Sequence, residues 1–159
     1  MTIYLASPLG FSEPGRNYLY GKIIPSLTAA GHSIIDPWTL TDPEYIGAAE
    51  RETDRDKRIG LFRKANAVIA KNNAEAIQRC EALVACLDGT DVDSGTSAEI
   101  GYACALGKRI EGFRTDFRLS SDNEGSAVNL QVEYFILSSG GAVSRSIDEV
   151  IIRLDEKHG

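Results

Sequence analysis

The sequence predicts an α/β fold: one domain over residues 1–159, built as a doubly wound, mostly parallel sheet flanked by helices. Short apolar runs at Ile3–Ala6, Ser33–Asp36, Ala82–Leu87 and Arg109–Phe113 have the length and bounding turn residues of buried strands. Stretches with apolar residues at helical spacing separate them. Strand and helix in alternation require crossover connections, which cover both faces of a parallel sheet.

The elements follow in order. Ile3–Ala6 ends at Ser7-Pro8-Leu9-Gly10, a strand running into a loop. Residues 14–30 carry Tyr20, Ile23, Ile24 and Leu27 at helical spacing, with Gly31 as a stop and Pro25 as a kink. Ser33–Asp36 is a second strand closed by Pro37, and residues 40–53 read as polar and turn-rich. Ile59, Phe62, Ile69 and Ile77 mark a long helix reaching Cys80. Ala82–Leu87 leads into the acidic loop Asp88–Gly95, then a helix from about Thr96 to Leu106 stopped by Gly107. After Arg109–Phe113 come a polar loop at 114–126, an apolar segment Asn129–Leu137 and a helix over Ile147–Leu154. In such flavodoxin- or Rossmann-like windings ligands sit beyond the carboxyl ends of the strands. Loops 7–15, 36–53, 88–95 and 114–126 are therefore where function is sought.

Composition narrows the classes. With 17 Lys and Arg against 23 Asp and Glu the net charge is −6, and no basic run exceeds two residues. Nucleic-acid polymers are not expected partners, because phosphate neutralisation needs a concentrated basic face. The apolar runs are too short for a membrane span, and Met1-Thr2-Ile3-Tyr4 has no basic leader region, so a cytoplasmic protein without a membrane partner is expected. Cys80, Cys86 and Cys104 read as reduced thiols facing the core. Their spacing fits no zinc pattern, no G-x-G-x-x-G turn is present, and His32 and His158 read as solvated; no metal or cofactor is expected.

The chemistry-bearing segment is Asp88-Gly89-Thr90-Asp91-Val92-Asp93-Ser94-Gly95-Thr96-Ser97-Ala98-Glu99. Paired carboxylates at a ligand edge can divide roles, one as nucleophile and the other assisting the leaving group. Near a helix N-terminus Glu99 is expected to stay ionised, which suits a nucleophile. A competing reading makes Thr96-Ser97-Ala98-Glu99 a capping box and Asp93 a plain cap. Asn73 places an amide four residues from both Ile69 and Ile77, either to meet a ligand or to tie down a neighbouring loop. Tyr4 either packs or orients a nearby carboxylate, and Phe11 either plugs a core edge or stacks on a planar ligand. Asn129 interrupts an apolar run and is otherwise a helix cap.

Taken together these segments resemble the nucleoside 2-deoxyribosyltransferase family. The resemblance rests on Ile3-Tyr4-Leu5-Ala6-Ser7-Pro8, on Asn73 eight residues before Glu81, on Asp93-Ser94-Gly95-Thr96-Ser97-Ala98-Glu99-Ile100-Gly101-Tyr102-Ala103, on Ala105-Leu106-Gly107-Lys108, and on Asn129-Leu130. Residues 114–124 are similar to a loop of some bacterial members. The resemblance implies that Glu99 is the nucleophile, that Tyr4 orients it, and that Asp93 and Asn73 hydrogen-bond the base. It implies that Phe11 stacks on the base, and that Asn129, with Gln131 two residues on, reaches a neighbouring subunit's site in a homo-oligomer. Two departures are Asn73, where many members carry an aspartate, and Gln131, where a methionine is common. The family's C-terminal carboxylate has no counterpart that maps onto Lys157-His158-Gly159.

The implied activity is transfer of 2-deoxyribose between purine and pyrimidine bases of 2′-deoxynucleosides, as in nucleobase salvage. It runs through a deoxyribosyl ester on Glu99, with slow hydrolysis as a side reaction and no cofactor. Two alternatives stand beside it. One is an N-glycosidase for 2′-deoxynucleoside 5′-monophosphates, with Arg114, Arg118, Ser120 and Ser121 as a phosphate-binding mouth. The other is a non-catalytic nucleoside-binding module, or a flavin binder, of the same fold.

Overall fold

The computed structural model describes residues 1–156. His158 and the segment 157–159 lie outside them. Five parallel strands form one sheet: β1 (Thr2–Ala6), β2 (Ser33–Ile35), β3 (Ala82–Cys86), β4 (Arg109–Phe113) and β5 (Val143–Ser144), in the order β2-β1-β3-β4-β5. Tyr4 stands opposite Ile35 on one side and Leu83 on the other. The winding changes direction between β1 and β3, so the crevice outside their carboxyl ends is where this topology binds ligands.

Side chains alternate across the sheet and build two cores. Tyr4, Ala6, Leu83, Ala85 and Ile110 face α4 (Arg55–Arg79), α5 (Ser94–Ala105) and α6 (Leu130–Ser138), packing with Ala76, Ile77, Ile100, Ala103 and Ile136. Ile3, Leu5, Val84, Cys86 and Phe113 face the opposite layer, meeting Leu19, Ile23, Leu27, Ile147, Val150 and Leu154. That layer contains α1 (Glu13–Tyr18), α2 (Ile24–Ala29) and α7 (Ile147–Asp155). Every residue of β3 is buried, as expected of the sheet's central strand.

Several elements differ from the sequence reading. Residues 40–53 are not merely turns: Glu44–Arg51 forms α3, packed on α4. Its apolar signal is short, and Thr41-Asp42-Pro43 masks its start. The helix over 14–30 is interrupted by a π-helical turn at Leu19–Ile23. Pro25 has no N–H and its ring crowds the carbonyl four residues back, so the wider turn accommodates it. Gly31 and Gly107 take positive φ (86° and 68°) and end their helices as expected. β5 has only two residues, too few to show alternation.

Burial also corrects two expectations, for His32 and Cys104, and shows one feature the sequence did not suggest. His32 is buried, not solvated; its Nε2 lies 4.0 Å from Asp155 Oδ1, and burial holds the imidazole below its ordinary pKa. Cys80 and Cys86 are buried thiols, but Cys104 is only half-buried. Glu111 is a fully buried carboxylate on β4. It accepts from Arg109 Nε and Nη2 at 3.0 and 2.7 Å, from Arg153 Nε at 3.0 Å and from Ala142 N at 3.2 Å, joining β4 to α7. No helix among the described residues is long and apolar enough to cross a membrane.

Candidate active site

Helix α5 begins two residues earlier than the sequence suggests. Asp93 is its N-cap: Oδ2 accepts from Thr96 N at 2.9 Å and from Thr96 Oγ1 at 3.2 Å. The capping-box reading, with Thr96 as cap and Glu99 as its partner, is thereby overturned. Glu99 falls in the second turn, clear of the helix terminus, and its side chain is free for another task.

That side chain meets Tyr4. The phenol, wholly buried on β1, donates to Glu99 Oε1 at 2.5 Å. Strand and helix place the two groups independently, since β1 fixes the tyrosine by register while the Asp93 cap fixes the helical phase. Burial, followed by the charge of Glu99, holds the Tyr4 hydroxyl protonated far above its ordinary range, so it acts as a donor.

Glu99 is not the fully ionised carboxylate expected of a helix terminus. Burial raises its pKa to about 7. The Tyr4 hydrogen bond works in the opposite direction, and the charge of Asp93 adds to the rise. Desolvation wins because Glu99 lies beyond the first turn, where the dipole has faded. A carboxyl raised to about 7 takes up and gives up a proton near neutral pH.

The loops around α5 are braced. Arg114 is buried and donates to the carbonyls of Leu87, Gly89 and Arg118. Asp88 reciprocates, accepting from Thr115 N and Oγ1 and from Asp116 N. Arg118 pairs with Asp116, and Ser121 Oγ donates to Asn123 O. Three of the four groups suggested as a phosphate mouth thus already have partners. The hydroxyl of Ser120 is buried without one.

Asn73 lies one turn before Ala76 and Ile77, which pack in the same core as Tyr4 and Ile100. Its Oδ1 is buried and accepts no hydrogen bond. The loop-tying role belongs to its neighbour: Asn72 Nδ2 donates to Thr41 Oγ1 at 2.9 Å and to Leu40 O at 3.4 Å. Asn129 caps α6, its Oδ1 accepting from Gln131 N and Val132 N while Nδ2 donates to Asp122 Oδ2 at 3.4 Å. Gln131 is exposed in the first turn of that helix.

Phe11, at the end of a short 3-10 turn after β1, is 75% exposed and meets Trp38 edge-on, ring centroids 4.7 Å apart and planes at 90°. Trp38 is held by Asp36, a buried carboxylate at the end of β2 that accepts from Trp38 N at 3.1 Å and Tyr20 Oη at 2.9 Å. The charge of Asp36 also reaches Tyr4. Neither Asp36 nor Trp38 stands out in the sequence, although a cap residue followed by Pro37 is the signal that finds such a turn. Among the described residues no cluster of three or more His, Cys, Asp or Glu could hold a metal ion.

Known proteins can be set beside this geometry. The chain is similar to a 2-deoxyribosyltransferase from Leishmania mexicana, with 24% identity, a TM-score of 0.68 and 99% of each chain covered. It is also similar to a 2-deoxyribosyltransferase from Bacillus psychrosaccharolyticus, at 22% identity and a TM-score of 0.61, covering 95% of this chain and 90% of that one. At these identities the likeness is one of fold. A curated relative, an uncharacterized protein of Schizosaccharomyces pombe, is 40% identical over 55 residues, 32% of this chain and 26% of its own length. The sequence model of one family, nucleoside 2-deoxyribosyltransferase, matches residues 3–131. That span holds both halves of the Tyr4–Glu99 contact, and the chain belongs to the nucleoside 2-deoxyribosyltransferase family.

Proposed function

We propose that the protein transfers 2-deoxyribose from a 2′-deoxynucleoside to a free purine or pyrimidine base. The observation that carries this reading is Glu99, presented by α5 to Tyr4 in the middle of β1. It is raised to about 7, receives one hydrogen bond from Tyr4, and does not serve as a helix cap. In the first step an ionised Glu99 oxygen bonds to C1′ as the C1′–N bond breaks. The bonding electrons pass to the base, which takes a proton from solvent as it leaves. In the second step a nitrogen of the incoming base bonds to C1′ and gives up its proton to solvent, the ester C–O bond breaks, and its electrons return to Glu99. Two inversions retain the configuration. Water in place of the second base gives slow hydrolysis.

The other residues divide the remaining work. Tyr4 holds the attacking carboxylate in one rotamer. Asn73 offers its unpaired Oδ1 to the base, with Asp93 a second polar group beside the departing ring. Phe11 supplies an aromatic face. No step calls for a cofactor.

The functional form is a homo-oligomer in the cytoplasm. Leu130, Tyr134 and Leu137 form an exposed apolar stripe along α6, directly after Asn129 and around Gln131. Covering that stripe with a second copy would bring Asn129 to a neighbouring site.

The test is incubation with deoxyinosine and adenine or cytosine, followed by chromatography for new deoxynucleosides. Parallel arms use a ribonucleoside donor and thymidine against its 5′-monophosphate. Base exchange from the deoxynucleoside alone supports the reading. Cleavage confined to the monophosphate, with no exchange, makes the protein an N-glycosidase, and binding without turnover makes it a sensor.

A further inference from the structure

Phe11 and Trp38 are the exposed aromatics flanking the carboxyl ends of β1 and β2, the two strands whose register places Ile35 beside Tyr4. Phe11 leaves three quarters of its surface in solvent. Its ring meets the indole of Trp38 at right angles. The indole itself is fixed from three directions. Its backbone N–H is held by the buried Asp36, its turn is closed by Thr39 Oγ1 donating to Asp36 O at 3.0 Å, and one ring face lies on Gly10. A Cβ on Gly10 would sit 2.1 Å from Trp38 Cε2, so this ring position exists only because residue 10 has no side chain. Arg16 Nη1 in turn holds Gly10 O at 3.0 Å. A 3-10 turn of three residues cannot by itself orient an exposed phenyl ring, so the edge contact with the anchored indole sets its direction.

We propose that Trp38 is a positioning residue of the base subsite: its anchored indole holds Phe11 with an open face turned to receive the planar nucleobase. This deepens the transferase reading and rests on it for the identity of the ligand as a nucleobase. Trp38 does not touch the reacting atoms; it determines how well a base is held once it arrives.

Trp38 is the single tryptophan of the chain, so its emission reports on this subsite alone. Titration with free adenine should move the emission saturably, with a midpoint that tracks the KM of adenine as acceptor. Trp38→Leu should raise that KM by about five- to tenfold, the range of one aromatic contact, while changing kcat at saturating adenine by less than about threefold. Trp38→Phe, which keeps a ring edge for Phe11, should recover most of the loss. Gly10→Ala leaves both rings in the chain but displaces the indole, and should reproduce the KM effect and shift the emission of the free protein. Unmoved emission at saturating adenine, or an unchanged KM in folded Trp38→Leu, overturns the assignment. If adenine moves the emission but no base exchange is detected with any donor, the base subsite stands and the transferase reading fails. Normal exchange with an unchanged KM in Trp38→Leu removes the subsite assignment alone.

Discussion

Asp93 and Glu99 sit six residues apart on one helix, the first closing its N-terminus and the second turned to Tyr4, and the charge of Asp93 helps hold Glu99 near a pKa of 7. Burial is the main cause of that rise, so one residue fixes the phase of the helix and adds to the proton affinity of the group that phase presents. The two effects can be separated by mutation.

Glu99 should cost the fold stability at alkaline pH. Its folded pKa is about 7 against an ordinary 4.5, so between those values the native state holds a proton that the unfolded chain has lost. Stability is complete below 4.5 and falls as pH rises through 7, by about 3 kcal/mol in all. Glu99→Gln should thus be more stable than the parent at pH 8 and nearly equal at pH 4.5, while base exchange drops at least about a thousandfold. Urea melts at both pH values check the first half. Equal differences at the two pH values would contradict the buried, proton-holding carboxyl.

Activity should rise with pH through an inflection near 7, as Glu99 ionises. Tyr4→Phe removes a hydrogen bond that lowers this pKa, so the kcat/KM inflection should move to higher pH and the plateau should fall. Asp93→Asn keeps a capping oxygen but discards the charge, so its inflection should move to lower pH at nearly parental stability. A pH–rate profile of the three proteins gives the order directly.

Asp93→Ala removes the cap as well as the charge. Its midpoint in urea should fall by an amount equivalent to about 1 kcal/mol relative to Asp93→Asn, with the two inflections coinciding.

Asn73→Leu should leave the fold as stable as the parent or more so. The buried Oδ1 accepts nothing, and its removal relieves a desolvation cost of roughly 1–3 kcal/mol. If that oxygen serves the base, KM should rise about tenfold while stability holds. A loss of stability without change in KM would show the amide to be structural.

Glu111→Ala should be the most damaging of these changes to the fold, at about 3–5 kcal/mol, because it leaves the Arg109 and Arg153 guanidinium groups without their shared carboxylate. The pH inflection of the surviving activity should not move.

The strands were legible because four of the five are short runs with a Gly or Pro close to one end, and a fully buried run such as Ala82–Cys86 has the length of a strand. Tyr4 was legible as a candidate because a phenol in a strand can orient a nearby carboxylate, and Glu99 because it follows three aspartates at a strand end. That they partner each other was implied by the family resemblance, and the coordinates add that the phenol donates to Glu99 Oε1. The charge state of Glu99 was misread because its distance from the helix terminus depends on whether Asp93 or Thr96 is the cap, and the sequence offers both. Arg114 was misread because nothing in a sequence distinguishes a cation awaiting an anion from one already held by three carbonyls. Trp38 escaped notice because its anchor is an absence, the missing side chain of Gly10.

The Tyr4 side of the sheet carries Glu99, Asn73 and the α6 stripe, while α7 and the Glu111 ion cluster lie against the other. A tether, tag or solid support attached along α7, for instance at the exposed Ile152, would leave the Tyr4–Glu99 face of the sheet clear. The molecule thus has a front and a back, and α7 belongs to the back.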